Sequence, residues 1–316
     1  MIRKRASLGA RTRVSEGSGK RRVSMIRARM RIIETLRIAS AGLVVAGCLA
    51  MASAVGAAEN REREKASRIV SVDFCADQFV LELADRRRIL ALSPDARRSF
   101  SYLSDEVGDL PSIRPRAENL ILEGADLVVR SYGGGPNLGK LLAKAGVGIL
   151  QVGWARDLED IKTVVRAMAT GLGEPRRGDA LVRRMEARIE AIRRRVARKR
   201  DPEYPPMALY TTPSGTTTGP GSLVHELMAA AGFSNFESRP GWRPLPLERM
   251  AYERPERVIA GFFDKPGVDL DRWSPIRHPL AKKSLESLPA IQIPGAYLAC
   301  GGWFVLDALE ALAPRD

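Results

Sequence analysis

Two groups of residues in this chain have types and spacings that could perform chemistry. The first is Gly134-x-x-x-x-Gly139-Lys140, which follows an expected strand and opens an expected helix, as a phosphate-binding loop does. Leu141 stands where such a loop needs a Ser or Thr to reach the metal ion. The sequence therefore indicates a glycine-rich turn that lets a ligand approach the backbone, rather than a nucleotide site.

The second group is the pair His225 and His278, the only two histidines of the chain. Two histidines are too few for the zinc or manganese sites that are built from several His and carboxylate ligands. The chain has no G-x-S-x-G turn and no H-E-x-x-H motif. A catalytic triad would need a Ser or Cys, one of these histidines and a carboxylate to come together in the fold. Nothing in the spacing of these residues indicates that they do.

Aromatic and arginine side chains occur instead beside expected strand ends and next to glycine or proline. Open α/β sheets bind ligands at the carboxyl ends of their strands, and flat rings and guanidinium groups suit a large planar or anionic ligand. We therefore predict a ligand-binding set of six residues, namely Tyr132, Trp154, Arg156, Trp242, Arg243 and Trp303.

Strands alternate with helices at a spacing that predicts parallel α/β sheets. A short pattern, helical turn then acid then strand, occurs at residues 118–129 and again at residues 248–259. One long charged helix without a strong breaker separates the two copies. The predicted fold is two similar α/β lobes joined by one long α-helix, with an N-terminal lobe at 66–173, a bridging helix at 174–200 and a C-terminal lobe at 205–316.

Three finer expectations concern the elements that position the aromatic residues. Residues 73–77 are expected to form a loop into a helix from Gln78 to Ala84. Residues 297–299 are expected to form the last strand, which leads into Trp303. Cys75 and Cys300 would then both lie in loops that follow strands.

The first 58 residues have the order of a secretory signal. Basic residues precede an apolar stretch from Ile38 to Val55, and Gly56-Ala57-Ala58 offers small side chains for cleavage. Translation could start at Met25 or Met30. This segment carries +10 of the formal net charge of +14, so the remaining chain carries only +4. We therefore predict export and no nucleic-acid partner.

Three cysteines are present, and Cys48 belongs to the signal segment. Residues 45–48 resemble a lipobox, so a lipidated Cys48 is one alternative to a soluble periplasmic protein, and an uncleaved anchor is another. Cys75 and Cys300 remain as an even pair in an oxidising compartment. The sequence leaves open whether they form a disulfide, line a pocket as thiols or ligate a metal.

These markers together resemble the periplasmic solute-binding proteins of iron-siderophore and cobalamin ABC importers, over about residues 66–313. The resemblance rests on the order of the opening strand Arg68–Val72, the segment Glu118–Val129, Asp157–Ile161, the glycine-rich turn into Leu223–Leu227, and Leu247-Glu248 ahead of Pro255. It implies two Rossmann-like lobes with mainly parallel sheets, one long bridging α-helix, and a ligand held between the lobes.

The resemblance also implies functional residues. In that family one Glu on each lobe docks with the membrane permease, and the motif assigns these roles to Glu118 and Glu248. Trp242 lies six residues before Glu248, where cobalamin-binding members have a stacking Trp. Ser112 and Ser131 stand where those members have further Trp residues, which leaves a ferric siderophore at least as consistent as cobalamin.

The sequence therefore predicts a monomeric extracytoplasmic binding protein and not an enzyme. It would capture a ferric siderophore or cobalamin-like metal chelate and deliver it to an ABC permease in the inner membrane. We expect no catalytic residue, no protein-bound metal and no cofactor other than the transported chelate. The alternative is a periplasmic α/β hydrolase, for which His225 and His278 would be the candidate bases.

Overall fold

The structure is a computed structural model that describes residues 66–264 and 274–315. These residues belong to a compact unit that runs from Lys65 to Asp316. The expected signal segment, with its alternative start sites and Cys48, lies outside the described residues.

The N-terminal lobe is built on a sheet of four parallel strands in the order β2-β1-β3-β4. The strands are β1 Ile69–Ser71, β2 Ile89–Ala91, β3 Leu127–Arg130 and β4 Gly148–Gln151. The helices of this lobe are α1 Phe74–Leu83, α2 Ala117–Leu122, α3 Leu138–Lys144 and α4 Leu158–Gly171, with 3₁₀ turns at Arg86–Arg88 and Ser104–Glu106.

The C-terminal lobe is built on a second parallel sheet in the order β10-β9-β5-β7, beside an antiparallel pair β6-β8. The strands are β5 Met207–Thr211, β6 Thr216–Thr218, β7 Ser234–Asn235, β8 Trp242–Pro244, β9 Arg257–Gly261 and β10 Ala290–Ile293. The helices are α6 Leu223–Ala230, α7 Leu247–Tyr252, α8 Pro279–Ser287, α9 Gly295–Leu298 and α10 Val305–Leu312, with a 3₁₀ turn at Pro275–Arg277.

One helix, α5 Pro175–Lys199, joins the two lobes. Proline suits the first position of a helix because its fixed φ is already helical and its missing N–H would have no partner there. A narrow apolar stripe is buried along the helix, at Leu181, Val182, Met185, Ile189 and Ile192. At about 1.5 Å per residue, its 25 residues span roughly 37 Å.

The bridging helix packs against both lobes. It contacts α4 of the first lobe and α10 of the second, and one continuous apolar core includes buried residues of both lobes and of α5. The predicted fold class, two α/β lobes with mainly parallel sheets joined by one long helix, is therefore confirmed. Within residues 66–264 and 274–315, the structure contains no helix that is both long enough and apolar enough to span a bilayer.

All three finer expectations are wrong. Helix α1 begins at Phe74 rather than Gln78, because Asp73 caps it by accepting the Ala76 N–H at 2.9 Å. Cys75 therefore lies in a helix. The last strand is β10, and residues 295–298 form a helical turn in which the Ala299 N–H donates to the Gly295 carbonyl at 2.9 Å.

Candidate functional site

A cavity of about 480 Å³ lies between the lobes, at the carboxyl ends of the strands. The N-terminal lobe contributes the start of α1 and the segments that follow β3 and β4. The C-terminal lobe contributes the start of α6, strand β8, the residue after β9 and the segment 298–301. Four of the six predicted ligand residues line this cavity, namely Tyr132, Trp154, Arg156 and Trp242.

The segment that carries Tyr132 is held in place by one carboxylate. Asp73 Oδ2 accepts the backbone N–H groups of Ser131 at 2.7 Å, Tyr132 at 3.1 Å and Gly133 at 2.9 Å. A side chain at Gly133 would collide with the Val72 carbonyl oxygen, so this close approach requires glycine. Asp73 thus caps α1 with one oxygen and positions the Tyr132 segment with the other.

The Tyr132 hydroxyl is a neutral hydrogen-bonding group at neutral pH. Burial first, and then the nearby charge of Asp73, raises the pKa of Tyr132 to about 12. Its ring packs edge-on against Phe74, with 6.0 Å between ring centroids. Phe74 also lines the cavity, and its position follows from the Asp73 cap that the sequence analysis missed.

The segment after β4 presents an aromatic ring and the cavity's cation. Trp154 is 84% exposed, and Arg156 follows two residues later. The Asp160 carboxylate holds Arg156 through its backbone N–H at 3.0 Å and its Nε at 3.2 Å. Among the cavity-lining residues that the structure describes, Arg156 is the one charged side chain.

Trp242 is the aromatic contribution of the opposite lobe. It lies on β8, paired with Thr218 of β6, and is 55% exposed. Its ring meets the buried ring of Tyr210 edge-on, with 6.0 Å between centroids. The antiparallel pair β6-β8 therefore projects this ring from the C-terminal lobe into the cavity.

Phe262 is a lining residue that sequence reasoning missed. It follows β9 directly and has a φ of 67°, a left-handed conformation that a bulky residue rarely adopts. Gly295 makes room for it, because a Cβ there would lie 2.6 Å from the Phe262 Cδ1 atom. No local sequence signal predicts this conformation.

A disulfide between Cys75 and Cys300 forms part of the cavity wall. Cys75 lies on α1 of the first lobe, and Cys300 lies just after α9 in the second lobe. The two residues are 225 positions apart in the sequence, with 5.6 Å between their Cα atoms. Tyr102 stacks on Phe304 beside it at 4.7 Å, and the Tyr102 hydroxyl donates to Asp307 Oδ2 at 2.6 Å. The two lobes are therefore joined covalently and by polar and aromatic contacts on this side.

The other two predicted ligand residues do not line the cavity. Trp303 is half-buried one layer behind it, where its ring packs edge-on against Phe79 at 5.5 Å. Arg243 donates from Nη2 to the Pro240 carbonyl at 2.8 Å and faces a separate depression that also borders Glu248. Trp303 is displaced because the strand expected before it is a helix, and Arg243 because alternate residues of β8 face opposite ways.

The histidines make local contacts away from the cavity. His225 Nδ1 lies 3.2 Å from Asn235 Nδ2, and His278 Nδ1 accepts the Leu280 N–H at 3.3 Å. Neither histidine lines the cavity. Within the described part of the chain, no group of three or more His, Cys, Asp or Glu side chains could hold a metal ion.

The two predicted docking residues lie at matching places. Glu118 is on α2, which leads into β3, and Glu248 is on α7, which leads into β9. Both are exposed, and neither carboxylate forms a hydrogen bond or ion pair with the residues that the structure describes. The geometry leaves both free to meet another molecule.

Comparison with known proteins agrees with this architecture. Residues 126–261 match the model of the family described as periplasmic binding protein. The chain is similar to the periplasmic heme-binding protein RhuT from Roseiflexus sp. RS-1 in apo form, with 23% identity, 78% of this chain and 98% of that chain covered, and a TM-score of 0.60. No curated protein sequence gives a significant match.

Two further solved structures resemble the chain. The periplasmic heme-binding protein HutB of Vibrio cholerae has 18% identity, 78% and 99% coverage and a TM-score of 0.60. The periplasmic vitamin B12-binding protein BtuF of Vibrio cholerae has 17% identity, 78% and 95% coverage and a TM-score of 0.55. At these identities the likeness establishes the fold. The predicted resemblance to periplasmic binding proteins is confirmed, and these matches give the hydrolase alternative no support.

Proposed function

We propose, from the match to the periplasmic binding protein family, that this chain captures a metal chelate outside the cytoplasm and delivers it to an ABC permease. The observation that carries the proposal is the cavity between the lobes, which is lined by exposed aromatic rings from both sides and by one cation. A pocket of several hundred Å³ with apolar walls and a few polar groups suits one small organic ligand.

The charge of the cavity narrows the ligand class. Arg156 is the one charged group among the described lining residues, and Asp160 already holds its Nε at 3.2 Å. Burying several uncompensated negative charges against apolar walls is costly. The site therefore favours a chelate with an apolar rim and at most one or two anionic groups, over a triply charged ferric tris-catecholate.

The aromatic rings suggest how such a ligand is gripped. Trp154 comes from one lobe and Trp242 from the other, and both leave more than half of the side chain exposed at the cavity. Flat rings bind extended apolar or conjugated surfaces by stacking and edge contacts. The Tyr132 hydroxyl and Arg156 would supply the polar contacts that fix the ligand's orientation.

Delivery would use Glu118 and Glu248 against cationic residues of an inner-membrane permease, as the family resemblance implies. Their exposure and their equivalent positions before β3 and β9 support this assignment. The periplasmic family match supports an extracytoplasmic location. Export by a cleaved signal, with lipidation at Cys48 as the alternative, and the monomeric state remain predictions of the sequence.

The first test is ligand retention by the protein purified from cells that express the full chain. Native mass spectrometry and Trp fluorescence quenching would be measured with haemin, cyanocobalamin, ferrichrome and ferric enterobactin as probes. We expect retention of at least one of the first three and not of ferric enterobactin, which carries three negative charges.

Three variants show whether binding uses this cavity. Trp154→Ala and Trp242→Ala should each weaken binding of the retained probe about tenfold, the effect of losing about 1.4 kcal/mol of contact. Tyr204→Ala removes an exposed ring that does not line the cavity and should leave binding unchanged. Retention of none of the probes, or equal binding by all three variants, would contradict the proposal.

A further inference from the structure

The two lobes place the same kind of surface at equivalent points of the fold. Reading both sheets from the same edge gives β2-β1-β3-β4 and β7-β5-β9-β10, which makes β3 and β9 equivalent. The six-residue helices α2 and α7 lead into these two strands. Glu118 and Glu248 therefore occupy the same position in each lobe.

Each of these carboxylates has a large apolar neighbour on its own helix. Leu122 lies four residues after Glu118 and is 85% exposed, and Tyr252 lies four residues after Glu248 and is 90% exposed. Residues four apart on a helix lie on the same face, so each pair forms one patch.

A buried residue fixes the orientation of each helix, so that both patches face solvent. Leu120 anchors α2 in the core of the first lobe, and Met250 anchors α7 in the core of the second. Both anchors lie midway between the acid and the exposed apolar residue, so the packing that fixes the helix also keeps Glu and its apolar partner in solvent. The same three-residue arrangement thus occurs in both lobes.

A single exposed apolar side chain is common on protein surfaces. An exposed apolar side chain that recurs at the same place in both lobes, each time beside an exposed acid, instead indicates a surface that another molecule covers. An ion pair at an exposed surface contributes little by itself, because water screens it. An apolar contact next to the pair excludes water and supplies most of the affinity of a small interface. A carboxylate with a neighbouring Leu or Tyr is therefore a more complete contact than a carboxylate alone.

We propose that Leu122 and Tyr252 are docking residues, which form with Glu118 and Glu248 two equivalent contact points for one membrane protein. The partner presents the same feature twice, a cationic side chain beside an apolar pocket, as two copies of one subunit related by a two-fold axis do. This inference rests on the proposed function, because it takes the partner to be the permease that receives the ligand.

Site-specific crosslinking in the source cells tests the contact without requiring a known ligand. A photoreactive phenylalanine would replace Leu122, Tyr252 or Tyr204 in the full chain. Tyr204 is the matched control, since it is 77% exposed and lies between α5 and β5. We expect adducts from positions 122 and 252 with the same multi-spanning membrane protein, and none from position 204.

Variants then measure the contribution of each patch. Leu122→Ser and Tyr252→Ser should each weaken binding to the crosslinked importer, purified in lipid nanodiscs, at least tenfold, and Tyr204→Ser should not. Neither variant should change retention of a chelate by the purified protein, because both residues lie outside the cavity lining.

The outcomes separate this inference from the proposed function. No adduct at positions 122 and 252, adducts only with soluble proteins, or equal adducts at position 204 would overturn the docking role of the apolar residues. Failure to retain any chelate probe would overturn the ligand proposal instead, while membrane-protein adducts at both positions would still support docking.

Discussion

The N- and C-terminal lobes share one scaffold and differ in what they present to the cavity. The likeness extends to hydrogen bonds: Asp126 accepts the Arg68 N–H at 3.1 Å before β1, and Glu256 accepts the Met207 N–H at 2.9 Å at the start of β5. In each lobe the acid of the repeated pattern thus ties the segment before β3 or β9 to the neighbouring strand.

The difference lies at the carboxyl ends of the strands. The first lobe presents Tyr132 on a segment that one buried carboxylate, Asp73, holds by three backbone N–H groups. The second lobe presents Trp242 on the antiparallel pair β6-β8 and Phe262 in a left-handed conformation. The repeated part of each lobe therefore bears an exposed acid, Glu118 or Glu248, and the part of each lobe that lines the cavity differs in structure.

The largest effect is expected when the two lobes lose their covalent link. Replacing both Cys75 and Cys300 by Ser should lower the free energy of unfolding by about 2–5 kcal/mol, because the bond closes a loop of more than two hundred residues in the unfolded chain. Urea denaturation followed by Trp fluorescence measures this loss.

Reduction provides an internal control for that variant. A reductant should lower the denaturation midpoint of the wild type and leave the double Ser variant unchanged. A wild-type midpoint that is insensitive to reductant would show that the disulfide does not contribute to the stability of the joined lobes.

A smaller effect should distinguish the first helix of each lobe. In Asp73→Asn only one side-chain oxygen can still accept hydrogen bonds. The substitution should cost about 2–4 kcal/mol of stability, because partly buried N–H groups of α1 or of the Tyr132 segment lose their acceptor. Ser222 caps α6 by accepting only the His225 N–H at 3.2 Å, so Ser222→Ala should cost about 1 kcal/mol.

Ligand affinity should also differ between the Asp73→Asn and Ser222→Ala variants. Ser222 itself lines the cavity, whereas Asp73 holds a cavity-lining segment, that of Tyr132, through three backbone hydrogen bonds. Chelate binding measured well below the unfolding transition should weaken more in Asp73→Asn than in Ser222→Ala. Equal affinities for the two variants would contradict a positioning role for Asp73.

An effect confined to part of the pH range concerns one acid in each lobe, whose pKa values are shifted in opposite directions. Burial raises the pKa of Asp77 to about 6, although hydrogen bonds from Ser71 and Ser93 oppose the shift. Burial also acts to raise the pKa of Glu237, but hydrogen bonds and the charge of Arg239 outweigh it, and the pKa lies below its usual value.

The signs follow from proton linkage. Between about pH 4 and 6 the folded state holds the Asp77 proton more tightly than the unfolded state, so this residue lowers stability as the pH rises through that window. Asp77→Asn should remove about 1–3 kcal/mol of that pH dependence. Glu237 contributes stability above its unfolded pKa and loses it in acid, so Glu237→Gln should destabilise at neutral pH and have little effect at low pH. Denaturation curves at several pH values measure both.

The sequence predicts the repeated scaffold well, because its signals are local. The bridging helix was expected at residues 174–200 and is found at Pro175–Lys199, since Pro175 and the apolar stripe mark it directly. In each repeat an acid precedes a β-branched run that predicts a strand. The structure contains these strands as β3 and β9. Strong periodicity and turn residues fix such elements regardless of tertiary context.

The cavity is less predictable, because its geometry depends on contacts between distant segments. The Phe262 ring lies against Gly295, which is distant in sequence, and Arg243 points out of the cavity because alternate residues of β8 face opposite ways. The pairing of Cys75 with Cys300 likewise depends on the folded arrangement of both lobes. Four of the six residues chosen by type do line the cavity. The positions of Arg243 and Trp303 outside it follow only from the tertiary structure.

The position of the disulfide also has a consequence for the order of biogenesis. Cytoplasmic thiols are kept reduced, so an exported chain would cross the membrane without this bond, in an unfolded state. In the folded protein the bond joins α1 of the first lobe to the segment around Cys300 of the second, so folding of both lobes brings the two cysteines together. Its oxidation would then mark the moment at which a newly exported molecule has completed assembly.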